Sequence, residues 1–384
     1  MSVGAVVVSV LVGVALLAVA ERTLLDSTPL GGEGPAGSRL AVSSRTPRSS
    51  APPDGGVSPR PTVRPGGHGT APPGTAVLAD QVRALMTDQR GAAAREAFGM
   101  NPDKPPVVLV DRVSPDGTWA FGTAAIPAPA GTAASPRLAF FAAHWTGERW
   151  SAALSGASAF SRLVRRSPAA LMPSGEARAL AAFSDGDAAV RPGALMLPWK
   201  IGGTWTLDTA DGGTAPRPLD GLAFSGGDGR VLAAGGGRLY RFCGTDDGLL
   251  LIVHADGLGT AYDGLRDTVP LRDGSVVQRG DPLGRTGTAR PCGGMAPPGP
   301  QVRFGVWHGD RRMPLDGVPL GGWTLRETAR PLLGFAERGP DQVLSGGTLT
   351  NLGPVPAAPS APTRSPAPAP PKDGPVLPLP VPSK

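Results

Sequence analysis

The stretch from Gly299 to Asp310, GPQVRFGVWHGD, reads as a hairpin strand running into a turn. Side chains alternate along a strand, so Gln301 and Arg303 stand side by side on one face. Two chemistries suit that pair. The Arg303 guanidinium can grip a carboxylate through two parallel hydrogen bonds while the Gln301 amide bonds a peptide backbone. Alternatively, Arg303 pairs with one of the aspartates at 208, 211, 220 and 263. Metal ligation does not suit it, because a guanidinium is permanently charged and offers donors only. The aspartates alone would form a hard oxygen site, better matched to calcium or magnesium than to a catalytic zinc.

The four histidines do little to change this. His308 lies one step out of phase with 301, 303, 305 and 307, so it points away from the pair or sits in the turn. His68 is flanked by glycines in a low-complexity stretch, and His144 beside Trp145 reads as a packed or surface side chain. The two cysteines, Cys243 and Cys292, lack a Cys-x-x-Cys spacing; in an exported chain a single disulfide is the economical reading.

Several elements must position these residues. TAVLADQVRALMTDQRGAAAREAF places Val77, Leu78, Val82, Leu85 and Met86 at helical spacing. Four short β-forming runs follow, VVLVDRV, GTWAFGTAAI, RLAFFAAHW and RWSAALSG, then helical material to about Phe183. From about Arg191 to Leu325 the texture becomes many short strands punctuated by glycine, which predicts a sandwich or partly open barrel. The fold class expected is an α+β unit followed by an all-β domain of barrel-sandwich type. The boundaries read as 1–25, a signal peptide or membrane anchor; 26–75, a disordered Gly/Pro/Ser/Arg linker; 76–188, a small α+β accessory domain; 189–330, the β domain; and 331–384, a C-terminal segment ending in a Pro/Ala tail.

Composition narrows the setting. With 56 Gly and 45 Pro in 384 residues, part of the chain must be linker. The net charge of +6 is carried almost wholly by Arg, which suits an anionic polymer such as a cell wall, or reflects a GC-rich genome. No basic cluster is interleaved with aromatics, which argues against nucleic acid. Residues 3–20, VGAVVVSVLVGVALLAVA, are uncharged and mostly apolar, so export is expected, by a cleaved signal or a retained anchor.

In order, LAFSGGDGRVLAAGGG, LLLIVHADGLGTAYDGL, LRDGSVVQRGDPLGRTGT and CGGMAPPGPQVRFGVWHGD make the region resemble the lysostaphin/LytM-type zinc endopeptidases, in particular the LasA-like secreted branch common in actinobacteria. About 120 residues carry the likeness, with Asp273 to Gly287 the most specific block. The resemblance implies a wall-directed zinc peptidase, and Cys243 and Cys292 fall where that branch places its disulfide. The family's catalytic set departs. Its His-x-His falls on Gln301 and Arg303, its Tyr-x-His-Leu on Tyr262 to Leu265 with Gly264 for histidine, and its ligand Asp on Ala223, or on Asp220 with a gap. Its first His falls near Thr209. His254 sits where the family often has a non-ligand His-Gly pair.

No catalytic residue and no zinc or other cofactor is therefore expected. Ala223, Gly264, Gln301 and Arg303 become vestigial positions, and Arg303, Gln301, Asp220, His254 and Tyr262 possible binding residues. The function this implies is an exported pseudoenzyme that binds cell-wall peptide, or peptidoglycan as an anionic polymer, without hydrolysis. The alternatives are residual hydrolysis with unconventional ligands such as Asp220 and His254, and a protein-interaction module that regulates a wall hydrolase or synthase. The membrane enters only through the N-terminal segment.

Overall fold

A computed structural model describes residues 72–185, 195–208, 218–244, 248–328 and 334–355. The expected signal or anchor segment, His68, Thr209, Asp211 and the Pro/Ala tail lie outside them. Among the described residues no helix is long and apolar enough to cross a membrane.

Helix α1 (Thr75–Phe98) is built from Ala, Leu, Met, Gln, Glu and Arg, which lose little freedom in a helix, and it stops at Gly99, whose φ of 68° is left-handed. Leu78, Val82 and Met86 are buried on one stripe, while Val77 is exposed. The stripe packs on a four-stranded antiparallel meander, β1 (Val107–Val113), β2 (Trp119–Ile126), β3 (Arg137–Trp145) and β4 (Trp150–Leu154). Strands β2 and β3 are covered on both faces. Ala120, Ala124, Ala139 and Phe141 meet α1, whereas Phe121, Ala125, Leu138 and Phe140 face helices α2 (Ser158–Arg166) and α3 (Ser174–Asp185) and the second half of the chain.

That second half contains β5 (Thr204–Asp208), β6 (Leu222–Ser225), β7 (Arg230–Leu232), β8 (Gly237–Phe242), β9 (Leu249–Val253), β10 (Gly259–Asp263), β11 (Leu265–Arg266), β12 (Ser275–Val277), β13 (Pro282–Thr286), β14 (Val302–His308) and β15 (Arg311–Arg312). A further five follow: β16 (Pro319–Leu320), β17 (Trp323–Glu327), β18 (Gly334–Arg338), β19 (Asp341–Leu344) and β20 (Thr348–Thr350). The largest sheet runs β12-β8-β9-β10-β14-β6-β5-β20, with β15 paired to β14. Strands β11, β13 and β7 form a small sheet, and β16 to β19 another.

Contacts cross two of the expected boundaries. Residues 334–350, set apart as a C-terminal segment, supply three strands, and Thr348 pairs with Thr206 inside the largest sheet. The division near 188 does not separate two cores either. Tyr240, Phe242, Leu249, Leu251, Ala261 and Trp307 of the large sheet share one apolar cluster with Phe121, Phe140, Phe160, Leu180 and Phe183 of the α+β layer. The opposite sheet face packs Leu222, Phe224, Leu250, Ile252, Tyr262 and Phe304 against Trp199, Trp205, Leu320 and Trp323. Burial on both faces is why LLLIV in β9 is a continuous apolar run rather than an alternating one. Each fully buried aromatic contributes roughly 1.5–3 kcal/mol. A shared face is therefore a strong bond between the halves.

Candidate functional site

Ladder register brings the expected positions into one transverse row. Asp263 on β10 lies opposite Arg303 on β14, Arg303 opposite Ala223 on β6, and Ala223 opposite Asp208 on β5. Directly opposed residues share a face. Their sequence neighbours Tyr262, Phe304, Leu222 and Leu207 point the other way, into the core. The row thus continues the face that the α+β layer covers. Next to it is a cleft of about 320 Å³ lined by Asp208, Ala223, Arg290, Gln301, Arg303 and Ala133, with Met295 to Pro298 along one rim.

Gly264 stands at the end of the row with φ of 83°, in the left-handed region that disfavours side chains. A Cβ there would overlap Nη1 of Arg290, so the space of a residue-264 side chain is held by that guanidinium. Arg290 reaches Asp263 at 3.8 Å, and both side chains are almost fully buried. Arg303 donates from Nη2 to the carbonyl of Ala133 at 2.7 Å. Arg312 donates from Nη1 to Asp220 at 3.0 Å and to Ser135 Oγ at 2.6 Å, lying where a side chain on Gly305 would be. Burial raises the Asp263 carboxyl above its ordinary pKa, while Arg290, Arg303 and Arg312 pull it back. Asp208, at the far end, accepts a hydrogen bond from Ser345 Oγ at 3.1 Å.

Arg290, Arg303 and Arg312 therefore surround one buried carboxylate, and the first two also line the cleft beside it, together with Asp208. This lining favours an anion, and Gln301 adds one amide with both donor and acceptor. Among the described residues no group of three or more His, Cys, Asp and Glu is arranged to hold a metal ion.

The structure separates other residues that the sequence had grouped with these. Tyr262 is fully buried on the opposite face; its hydroxyl accepts from the Ala234 amide at 2.8 Å and lies 3.0 Å from Thr260 Oγ1. His254 is also in the interior, its ring nitrogens 2.8 Å from the Gly236 carbonyl and 3.0 Å from Thr260 Oγ1. Burial lowers its pKa, against the pull of its bond to the Gly236 carbonyl. Neither lines the cleft, because each points into the core shared by β8 to β10. Asp220 is paired with Arg312 and does not meet His254, which leaves the Asp220–His254 pair without a common site. His308 contacts the Phe183 ring, with centroids 6.4 Å apart, away from the cleft. His144 lies 4.3 Å from the Trp119 ring.

Cys243 and Cys292 are joined, with Cα atoms 5.3 Å apart. The bond ties Cys243, just past β8, to Cys292, three residues before Met295 on the cleft rim. Sequence reasoning missed Arg290, Arg312 and the β2–β3 loop with Ala133 and Ser135. Arg290 and Arg312 carried no motif, and only tertiary packing brings residue 133 to residue 303.

No family model matches the chain, and no curated protein matches it. Among solved structures it is similar to an M23 metalloprotease, pseudoalterin from the deep sea, at 23% identity over 41% of this chain and 98% of that one, with a TM-score of 0.37. It is also similar to the catalytic domain of the antimicrobial peptidase lysostaphin from Staphylococcus simulans, at 17% identity over 30% of this chain and 78% of that one, with a TM-score of 0.21.

Proposed function

We propose that this protein is an exported, non-hydrolysing member of the lysostaphin/LytM type that binds cell-wall peptide through the cleft at Arg303. The observation that carries the reading is the row Asp263, Arg303, Ala223 and Asp208, flanked by Gln301 and Arg290. By the resemblance, the positions of Ala223, Gly264, Gln301 and Arg303 would hold the family's metal and its bases. Here those positions present a methyl group, a bare backbone, an amide and a guanidinium, and the Arg303 and Arg290 guanidiniums, donors only, repel a cation beside the two aspartates of the row. With no zinc to polarise a carbonyl or generate hydroxide, the same groove keeps recognition and loses cleavage. Recognition rests on charge-assisted hydrogen bonds from Arg303 to a peptide carboxylate, with Gln301 bonding the main chain.

The test is capture of the purified full chain on isolated sacculi, comparing the wild type with Arg303→Ala. Capture by the wild type and at least a severalfold loss in the variant is the expected result. Equal capture of both would remove the cleft from the reading. Near-stoichiometric zinc together with fragments released from the wall would overturn it altogether.

A further inference from the structure

The cleft beside Arg303 is not uniformly basic: its two ends carry opposite charge. The row that borders it crosses three neighbouring strands in the order Arg303 on β14, Ala223 on β6 and Asp208 on β5. All three residues share one sheet face and line the cleft. Neighbouring strands lie about 4.8 Å apart, so the two charged residues start from backbones roughly 10 Å apart, with a methyl group between them.

The positive end is reinforced by Arg290, which lines the cleft with Arg303. Behind them, Arg312 pairs with Asp220, and Asp263 faces Arg290 and Arg303. Arg290, Arg303 and Arg312 thus set three positive charges against the two negative ones of Asp263 and Asp220. The negative end is Asp208, whose carboxylate is held by the hydrogen bond from Ser345 Oγ at 3.1 Å. Ser345 lies between β19 and β20, and β20 pairs with β5, so the border of the sheet positions the acid independently of the arginines. Apart from Gln301, every other side chain on the lining is apolar, with Ala223 in the row itself and Met295 to Pro298 along the rim. A methylene chain laid between the ends leaves water without stranding a polar group. A second carboxylate on the ligand would meet Asp208, and a second ammonium would meet Arg303; either like-charge contact costs affinity.

We infer that the cleft selects a bipolar ligand, with a carboxylate at Arg303 and an alkylammonium group at Asp208, joined by an aliphatic spacer of about 10 Å. The inference rests on the binding reading above for the carboxylate at Arg303, while the ammonium at Asp208 stands or falls separately. Ligand-observed NMR titration of the purified full chain compares two probes of equal length. One is ω-aminooctanoate, which ends in an ammonium group, and the other is ω-hydroxyoctanoate, which ends in a neutral hydroxyl.

The wild type is expected to bind the amino acid about tenfold more tightly, the size of one charge-assisted hydrogen bond. Asp208→Asn should bind both probes equally. A shorter zwitterion, γ-aminobutyrate, does not reach both ends and should bind the wild type no better than ω-hydroxyoctanoate does. Equal affinities of the wild type for the two long probes overturn the inference, as does a preference that persists in Asp208→Asn. Failure of the wild type to bind either probe overturns it as well, and neither wild-type result depends on a variant folding. Binding of ω-aminooctanoate as expected without capture on sacculi leaves the inference standing and removes the wall-binding reading. Capture on sacculi with no preference between the probes does the reverse.

Discussion

The guanidinium of Arg290 fills the space into which a side chain on Gly264 would project, and Arg290 also stands beside Asp263. The two positions are thus mutually exclusive. Returning histidine to 264, 301 and 303 together should leave the zinc content far below one per chain by elemental analysis. Gly264→His alone should cost at least about 1–3 kcal/mol from its left-handed backbone, with the overlap added. Adding Arg290→Ala to Gly264→His should recover part of the thermal loss, since it removes the overlap.

Arg303→Lys should behave unlike a conservative change. Lysine places one compact charge near Asp263 but cannot present a planar fork. Capture on sacculi should fall between wild type and Arg303→Ala, while thermal stability stays near wild type. Arg303→Ala should itself lose roughly 1–3 kcal/mol, because a charge-assisted bond to Ala133 goes and Asp263 is left with less compensation.

Stability should fall as pH rises from about 4 to about 8. Where β1 meets the loop before β12, Asp111 is pushed up to about 8, first by burial and then by the charge of Asp273, against the pull of Arg112. Asp273 is pushed up to about 6, mainly by burial. Both line a cleft of about 440 Å³ with Arg112, Arg241 and Arg272. With folded pKa values above the ordinary carboxylate value, the native state holds more protons than the unfolded chain across that window, so raising pH favours unfolding. Urea midpoints at pH 5 and pH 8 measure the slope. Asp111→Asn should flatten it and raise the midpoint at pH 8.

Glu176 anchors the α+β layer to the large sheet. It is 2% exposed, accepts from Arg112 at 3.0 and 2.5 Å, and accepts from the Tyr240 hydroxyl at 2.8 Å. Glu176→Ala should cost roughly 3–5 kcal/mol in chemical denaturation by stranding a partly buried guanidinium. Tyr240→Phe, which removes one neutral donor, should cost about 1–2 kcal/mol.

The strand pattern was readable because its period is short and local. Alternation placed 301 and 303 together and 308 apart, and the same alternation puts the adjacent Tyr262 and Asp263 on opposite faces. What alternation cannot tell is which face is which. Tyr262 and His254, possible binding residues in the sequence, point into the core, while Asp263, next to Tyr262, lies on the other face opposite Arg303. Arg290 and Arg312 were illegible for another reason: long flexible side chains reach the site from a loop and a two-residue strand with no spacing signature. The Ala133 contact spans 170 residues, and nothing in a Pro/Ala loop announces its partner.

The pairing of β5 with β20 has a consequence for how the chain is made. Thr204 and Thr350 meet across 146 residues, so the border strand beside Asp208 has no outer neighbour until nearly the whole ordered region has left the ribosome. Until then β5 presents a bare row of amides and carbonyls, a template for pairing with another chain. Contacts closed over such a distance form late and slowly. During synthesis, therefore, the cleft border is the last part of the sheet to be sealed.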